Sequence, residues 1–170
     1  MTAFVRDFAP PASVGIVPYA DMAGMDGITF MRRMMAGELP APPICRTGSF
    51  QTTEVERGRV VFVGEPSEEF YNPLGTVHGG WISMILDSAL GCVVHTMLEA
   101  GQAYTTLELK VNFVRPVLAN TGRVRAEALI VHLGGRIATS EARLVDARGR
   151  LLAHGTSTCL IMDVPAAKAG

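Results

Sequence analysis

YNPLGTVHGGWISMILDSALGCVVHTMLEA, residues 71–100, is the stretch that decides how the rest of the chain folds. An Asn72-Pro73 turn leads to a His78-Gly79-Gly80 step, which opens a long apolar helix expected over 79–99, with one acid, Asp87, in its middle. Gly101 stands at the C′ side as its stop. A helix that is apolar nearly all round cannot lie on a surface with one side in water. A sheet must therefore curl around it, or a second copy of the chain must cover the remainder.

After this helix the period changes from 3.6 to 2. Over 105–115, Leu107, Leu109, Val111 and Phe113 alternate with Glu108, Lys110 and Asn112, the pattern of a half-buried strand. Further strands are expected over 122–133, 136–145 and 151–162, and two more precede the helix, over 48–56 and 59–65. Arg57-Gly58, Asn120-Thr121-Gly122, Gly134-Gly135 and residues 146–149 supply short turns. Strands joined so closely run antiparallel, because parallel neighbours need a crossover of about a dozen residues or more. The expected class is α+β: one antiparallel sheet of five to six strands with a single long helix to cover it.

Ahead of the sheet, Met25, Ile28, Met31, Met34 and Met35 recur at helical spacing over 21–36, with Arg32 and Arg33 between them. This predicts an extra N-terminal amphipathic helix, ended by Gly37 and Pro40. Its methionine stripe fits either packing or a ligand groove. Residues 39–44 are expected to be an extended connector, since a proline disfavours helix in the residue before it. The division is then an arm and short helix over 1–45, the main domain over 46–165 and a frayed tail over 166–170.

Composition narrows the function. A chain of 170 residues suits one domain, and 48% hydrophobic against 18% charged residues describes a globular one. The net charge of −1, with no basic stripe, excludes the cationic footprint that nucleic acid requires. The partner is a small molecule or another copy of the chain. Cys45, Cys92 and Cys159 form no CxxC pair and fit thiols in a reducing compartment, hence a cytoplasmic protein without a metal site. The first residues lack the pattern of a signal peptide. Ser83, Asp87, Ser88 and His95 interrupt the long helix, so no membrane span is expected.

The candidate chemistry centres on Asn72, His78, Gly79 and Asp87. Asp87 follows His78 by nine residues, which at ~1.5 Å and ~100° per residue sets them roughly 13 Å apart on opposite faces of the helix. They cannot grip one substrate atom within a chain. If both act, the site joins the helix N-terminus of one subunit to the mid-helix acid of another, as a two-fold dimer provides twice over. The unpaired N–H groups of Gly79 and Gly80 would then stabilise a carbonyl oxygen gaining negative charge, with Asn72 or His78 as further donors. An acid across that carbonyl would activate water or attack directly. Each residue also has a structural reading: Asn72 as a turn former, His78 as a helix cap, the glycine pair as a packing site. Asp87 is hardest to explain structurally, because a carboxylate inside an apolar helix is costly unless paired or used. His95, His132 and His154 have no metal spacing. No GxSxG elbow, P-loop or dinucleotide fingerprint is present.

The run Asn72-Pro-Leu-Gly-Thr-Val-His78-Gly79-Gly80, with Asp87 nine residues after the histidine, resembles the active-site signature of hotdog-fold acyl-CoA thioesterases of the phenylacetate-degradation (PaaI) type. Residues 106–116 are similar to the strand that follows in that family, and the likeness covers about 48–162. The resemblance implies a curved sheet wrapped around the helix, a homodimer with two shared sites, and often a tetramer as a pair of dimers. It implies Asp87 as general base or nucleophile, the Gly79 N–H as oxyanion donor, and Asn72 and His78 as supporting polar groups. Thr106 matches the hydroxyl residue that helps hold the attacking water. Alternation places Thr106 with Glu108 on the polar face and Thr105 with Leu107 on the other, so either threonine is a candidate. The implied substrate is an aryl- or medium-chain acyl-CoA, cleaved without metal or organic cofactor. Its acyl part is expected near Trp81, Met84 and Leu86, beside Gly80, and Arg115 and Arg136 are candidates for the CoA phosphates or for plain solvated surface. A non-catalytic acyl-CoA sensor and an acyl-thioester dehydratase are the competing functions.

Overall fold

The computed structural model describes residues 24–163, together with 11, 13–18, 21 and 22. The expected tail and most of the expected arm lie outside the described residues. Six strands, β1 (Phe50–Glu56), β2 (Arg59–Gly64), β3 (Gln102–Phe113), β4 (Val124–Leu133), β5 (Ile137–Val145) and β6 (Leu151–Asp163), form one sheet in the order β1-β2-β4-β5-β6-β3. Every neighbouring pair is antiparallel. The β1–β2 hairpin turns at Arg57-Gly58, where Gly58 takes φ +78°, a conformation that needs no Cβ. The long connection that contains the central helix carries the chain from β2 to the far edge, where β3 pairs with β6 alone.

The sheet is accompanied by the α-helices α1 (Gly27–Met35), α2 (Pro43–Thr47) and α3 (Gly79–His95). Helix α1 begins after Asp26, whose Oδ1 accepts the Thr29 N–H at 3.0 Å as an N-cap. Helix α2 corrects the expectation of a wholly extended connector. Pro42 is extended, as a residue before proline must be, but Pro43 then occupies the first helical position, where a missing N–H costs nothing. Helix α3 ends four residues short of the expected boundary. Thr96 terminates it by donating from Oγ1 to the Val93 carbonyl at 2.7 Å while accepting the Gly58 N–H at 2.9 Å, which also ties the hairpin to the helix end.

The core lies between α3 and the inner face of the sheet. Ile82, Ile85, Leu86, Ala89, Leu90 and Val93 are buried against Phe62, Ala126, Ala128, Ala142, Leu144 and Ala153. Alanines at four of these six sheet positions let helix and strands approach closely. On its other side α3 meets α1, whose Ile28 and Met31 are buried beside Cys92. Gly27 donates its N–H to the Leu98 carbonyl at 3.0 Å, and a Cβ there would overlap the His95 carbonyl. The apolar helix is thus covered in part by the chain's own N-terminal segment, a third solution beside a curled sheet or a second copy.

One strand departs from simple alternation. A β-bulge between Thr106 and Glu108 shifts the register of β3 against β6. Leu107 therefore points outward, 57% exposed, whereas Leu109 and Val111 pack against the core. Phe113, expected on the buried face, is exposed at the end of the strand. A curved antiparallel sheet around one central helix, with an extra N-terminal helix, is the hotdog architecture. Among the described residues no helix is long and apolar enough to cross a membrane.

Candidate active site

Asp87 sits half-buried on α3, on the side turned toward β3 and the N-terminal segment. The bulge in β3 aims Thr106 inward, and its Oγ1 donates to Asp87 Oδ1 at 3.3 Å. Thr105 is exposed, so of the two threonines only Thr106 reaches the acid. The second oxygen of Asp87 has no donor among the described residues. A cavity of about 230 Å³ opens here, lined by Asp87, Thr106 and Ser88 and otherwise largely by apolar and thiol side chains. Burial pushes the Cys45 thiol up to about 11 and that of Cys92 to about 12, and raises the Tyr104 phenol well above its ordinary value. These three lining groups are neutral near pH 7, and among the described residues Asp87 is the only carboxylate in the lining.

The N-terminus of α3 builds a second feature. His78 is the N-cap, and its Nδ1 accepts the Gly80 N–H at 2.8 Å, which places the ring proton of the neutral imidazole on Nε2. Gly80 is therefore already satisfied, a correction to the expectation that both glycine N–H groups face outward. The Gly79 N–H, at the first helical position, has no acceptor among the described residues. Gly79 lines a cavity of about 370 Å³ together with Asn72, Phe113 and Arg115. A Cβ at Gly79 would come 3.0 Å from the Phe113 ring, so the closeness of this wall depends on glycine.

Asn72 serves its own turn as well as the cavity. Its Oδ1 accepts the N–H groups of Leu74 at 2.9 Å and Thr76 at 3.3 Å, and its Nδ2 donates to Thr76 Oγ1 at 2.9 Å. One Nδ2 hydrogen remains for a ligand. The Gly79 and Asp87 cavities share no lining residue, so within the single chain the two groups do not meet.

Several expected binding residues lie elsewhere. Trp81 is buried in the core, stacked on Phe70 with centroids 5.6 Å apart, and donates Nε1–H to the Gly48 carbonyl at 2.8 Å. Leu86 is wholly buried and Met84 packs against the same core, and neither lines the Asp87 cavity. The helix turns these side chains toward the sheet and β1, away from the cavity. Arg115 reaches the Gly79 cavity while its Nη1 donates to the Leu151 carbonyl at 2.6 Å. Arg136 borders a different cavity with Ile161 and Asp163. Tyr104, Cys45 and Ile44 line the Asp87 cavity and escaped the sequence reading. Tyr104 shares strand parity with Thr106, the one signal that could have found it; the other two hide in the proline-rich run that forms α2.

A family model described as the thioesterase superfamily matches residues 74–153. The chain is 34% identical to the 1,4-dihydroxy-2-naphthoyl-CoA hydrolase of Escherichia coli over 91 residues, 53% of this chain and 65% of that protein. It superposes on a phenylacetic acid degradation-related protein of Ralstonia eutropha with a TM-score of 0.71 and 30% identity, covering 77% of this chain and 98% of the other. Against a mutant of the phenylacetic acid degradation protein PaaI of Thermus thermophilus the TM-score is 0.63 at 29% identity, covering 69% and 97%. With the helix-borne acid, its threonine partner and the glycine helix start in place on this fold, the chain belongs to the thioesterase superfamily, among its PaaI-like hotdog members.

Proposed function

We propose that this chain is a cytoplasmic acyl-CoA thioesterase that releases a free acid and coenzyme A, working as a homodimer with two shared sites and assembling further as a pair of dimers. The observation that carries the reading is the division of the site: Asp87 and Gly79 line separate cavities of one chain, each with half of the required chemistry. The edge strand supports the pairing. β3 is a twelve-residue strand paired on one side only, and it carries the exposed apolar side chains Leu107 and Phe113. Such an edge needs a cover, and a second copy brings its own Asp87 and Gly79.

In this scheme the thioester carbonyl oxygen lies on the Gly79 N–H, with the positive end of the helix dipole behind it. Asn72 and His78 Nε2–H stand by as additional donors. Asp87 of the other subunit takes a proton from water as the water oxygen attacks the carbonyl carbon, or attacks that carbon itself and is released by water afterwards. Thr106 holds the carboxylate in place. The tetrahedral intermediate collapses with cleavage of the carbon–sulfur bond; the leaving thiolate takes up the proton held by Asp87 in the first route, and in the second a proton of the water that later hydrolyses the acyl-Asp87 anhydride. No metal or organic cofactor enters the scheme. Arg115, which lines the Gly79 cavity, meets a phosphate of the coenzyme in this scheme. The E. coli relative is named for an aryl-CoA substrate, which supports an acyl-CoA here.

The test is release of free thiol from a panel of aryl and straight-chain acyl-CoAs. Wild type is expected to turn over at least one of them, and Asp87→Ala to lower kcat by about 10²–10⁴-fold with the fold intact. Equal turnover by the two proteins contradicts the mechanism, and no turnover by either favours a binding module.

A further inference from the structure

The methionine stripe of α1 has no part in the catalytic scheme, yet it roofs a cavity. A space of about 530 Å³ lies beneath the N-terminal segment, within the range of small-molecule sites. Its roof is Phe30, Met31 and Met34 of α1 with residues 15–18, and its floor includes Cys92 and His95 of α3. The roof is fastened at both ends. Gly27 is pressed onto the His95 carbonyl, and residues 13–15 pair with Ala41 through the Gly15 N–H to Ala41 carbonyl bond at 2.9 Å and its return from Ala41 N–H to Ser13 at 3.1 Å.

Two properties define what this space would take. It adjoins the catalytic cavity, for Met34, Pro42, Cys92 and Tyr104 line both. Its lining also holds no Asp, Glu, Lys or Arg among the described residues, and burial lowers His95 to about 4, so the imidazole is neutral near pH 7. A ligand headgroup with charge finds no partner there. A flexible hydrocarbon does, because methionine side chains adapt to irregular apolar shapes.

We propose that the acyl tail of the thioester passes Asp87 and enters this cavity, so that the N-terminal segment selects straight-chain acyl groups of medium to long length. This rests on the thioesterase reading above. An aryl acyl group would end beside Asp87 and leave the apolar space unused, whereas each methylene that enters it from water favours binding by ~4-fold.

The test measures kcat/KM for butyryl-, octanoyl- and dodecanoyl-CoA. Wild type is expected to rise along the series. Met34→Trp, at the junction of the cavities, is expected to lower the dodecanoyl-to-butyryl ratio at least tenfold. Val17→Trp, which lines the larger cavity only, is expected to lower the same ratio and serves if the first variant does not fold. A flat or falling wild-type series, or an unchanged ratio in a folded variant, overturns the inference and leaves the thioesterase reading intact. If wild type hydrolyses no acyl-CoA at all, the thioesterase reading fails instead. The cavity is then judged by calorimetric titration with 1-dodecanol: heat in wild type that Val17→Trp abolishes supports it, and no heat in wild type overturns it.

Discussion

Thr106 and Thr105 are neighbours of the same chemistry, and only their direction separates them. The Thr106 hydroxyl donates to Asp87, whereas Thr105 faces solvent. A hydrogen bond to a charged group contributes about 1.5–3 kcal/mol. Thr106→Val is therefore expected to lower kcat at least tenfold in the thiol-release assay while Thr105→Val leaves it unchanged; the reverse order would move the role to the exposed neighbour. Strict alternation could not choose between the two, because the choice depends on a bulge one residue further on. Nothing in the local sequence announces that bulge: Leu107 reads as one more apolar position in a regular series. Asp87, by contrast, stood out because a lone acid in an apolar helix has few structural excuses. Gly80 was misread for a related reason, since only the observed rotamer of His78 reveals that its N–H is already taken.

At the level of elements, the strands and the central helix were legible because their periods are long and uninterrupted, with glycine or proline between them. The ends were less so. Thr96 stops α3 through a bond that reaches across to the β1–β2 hairpin, a long-range contact that no local signal carries. Helix α2 was hidden by its prolines, which bar helix before them but permit it after. The docking of α1 on α3 was equally hidden, and it has a measurable consequence through His95. That ring stacks on Phe30 at 4.9 Å and meets the edge of Tyr104 at 5.7 Å, and burial lowers it from 6.5 to about 4. The unfolded chain then binds more protons than the folded one between about pH 4 and 6.5. Stability is full above that window and falls as pH drops through it, by about 2 kcal/mol between pH 7 and pH 5 from this residue. Urea midpoints at the two pH values are expected to show the loss, and His95→Leu to reduce it. An equal loss in wild type and variant would assign the effect to other groups.

For the whole molecule, the governing fact is that the central acid and the glycine helix start stand apart within one chain. The helix spacing of Asp87 and His78 already required this in the sequence, and the structure sets the acid and the glycine helix start in separate cavities. In the proposed scheme a second copy completes both sites, and Gly79 permits a test of that pairing. As the first residue of α3 its backbone accepts proline, and His78 before it is extended, with φ −60° and ψ 138°, as a residue before proline prefers, while the exposed Phe113 ring has to swing aside for the new Cβ. Gly79→Pro thus removes the proposed oxyanion donor while keeping the helix, and is expected to lower kcat about 10²–10³-fold. Asp87→Ala removes the other half. Unfolding and refolding the two inactive variants together in equal amounts is the most direct measurement. Random pairing makes half of the dimers mixed, each with one site built from the intact Asp87 of one chain and the intact Gly79 of the other. The predicted result is recovery to about a quarter of wild-type activity. A mixture no more active than its components would contradict the shared site.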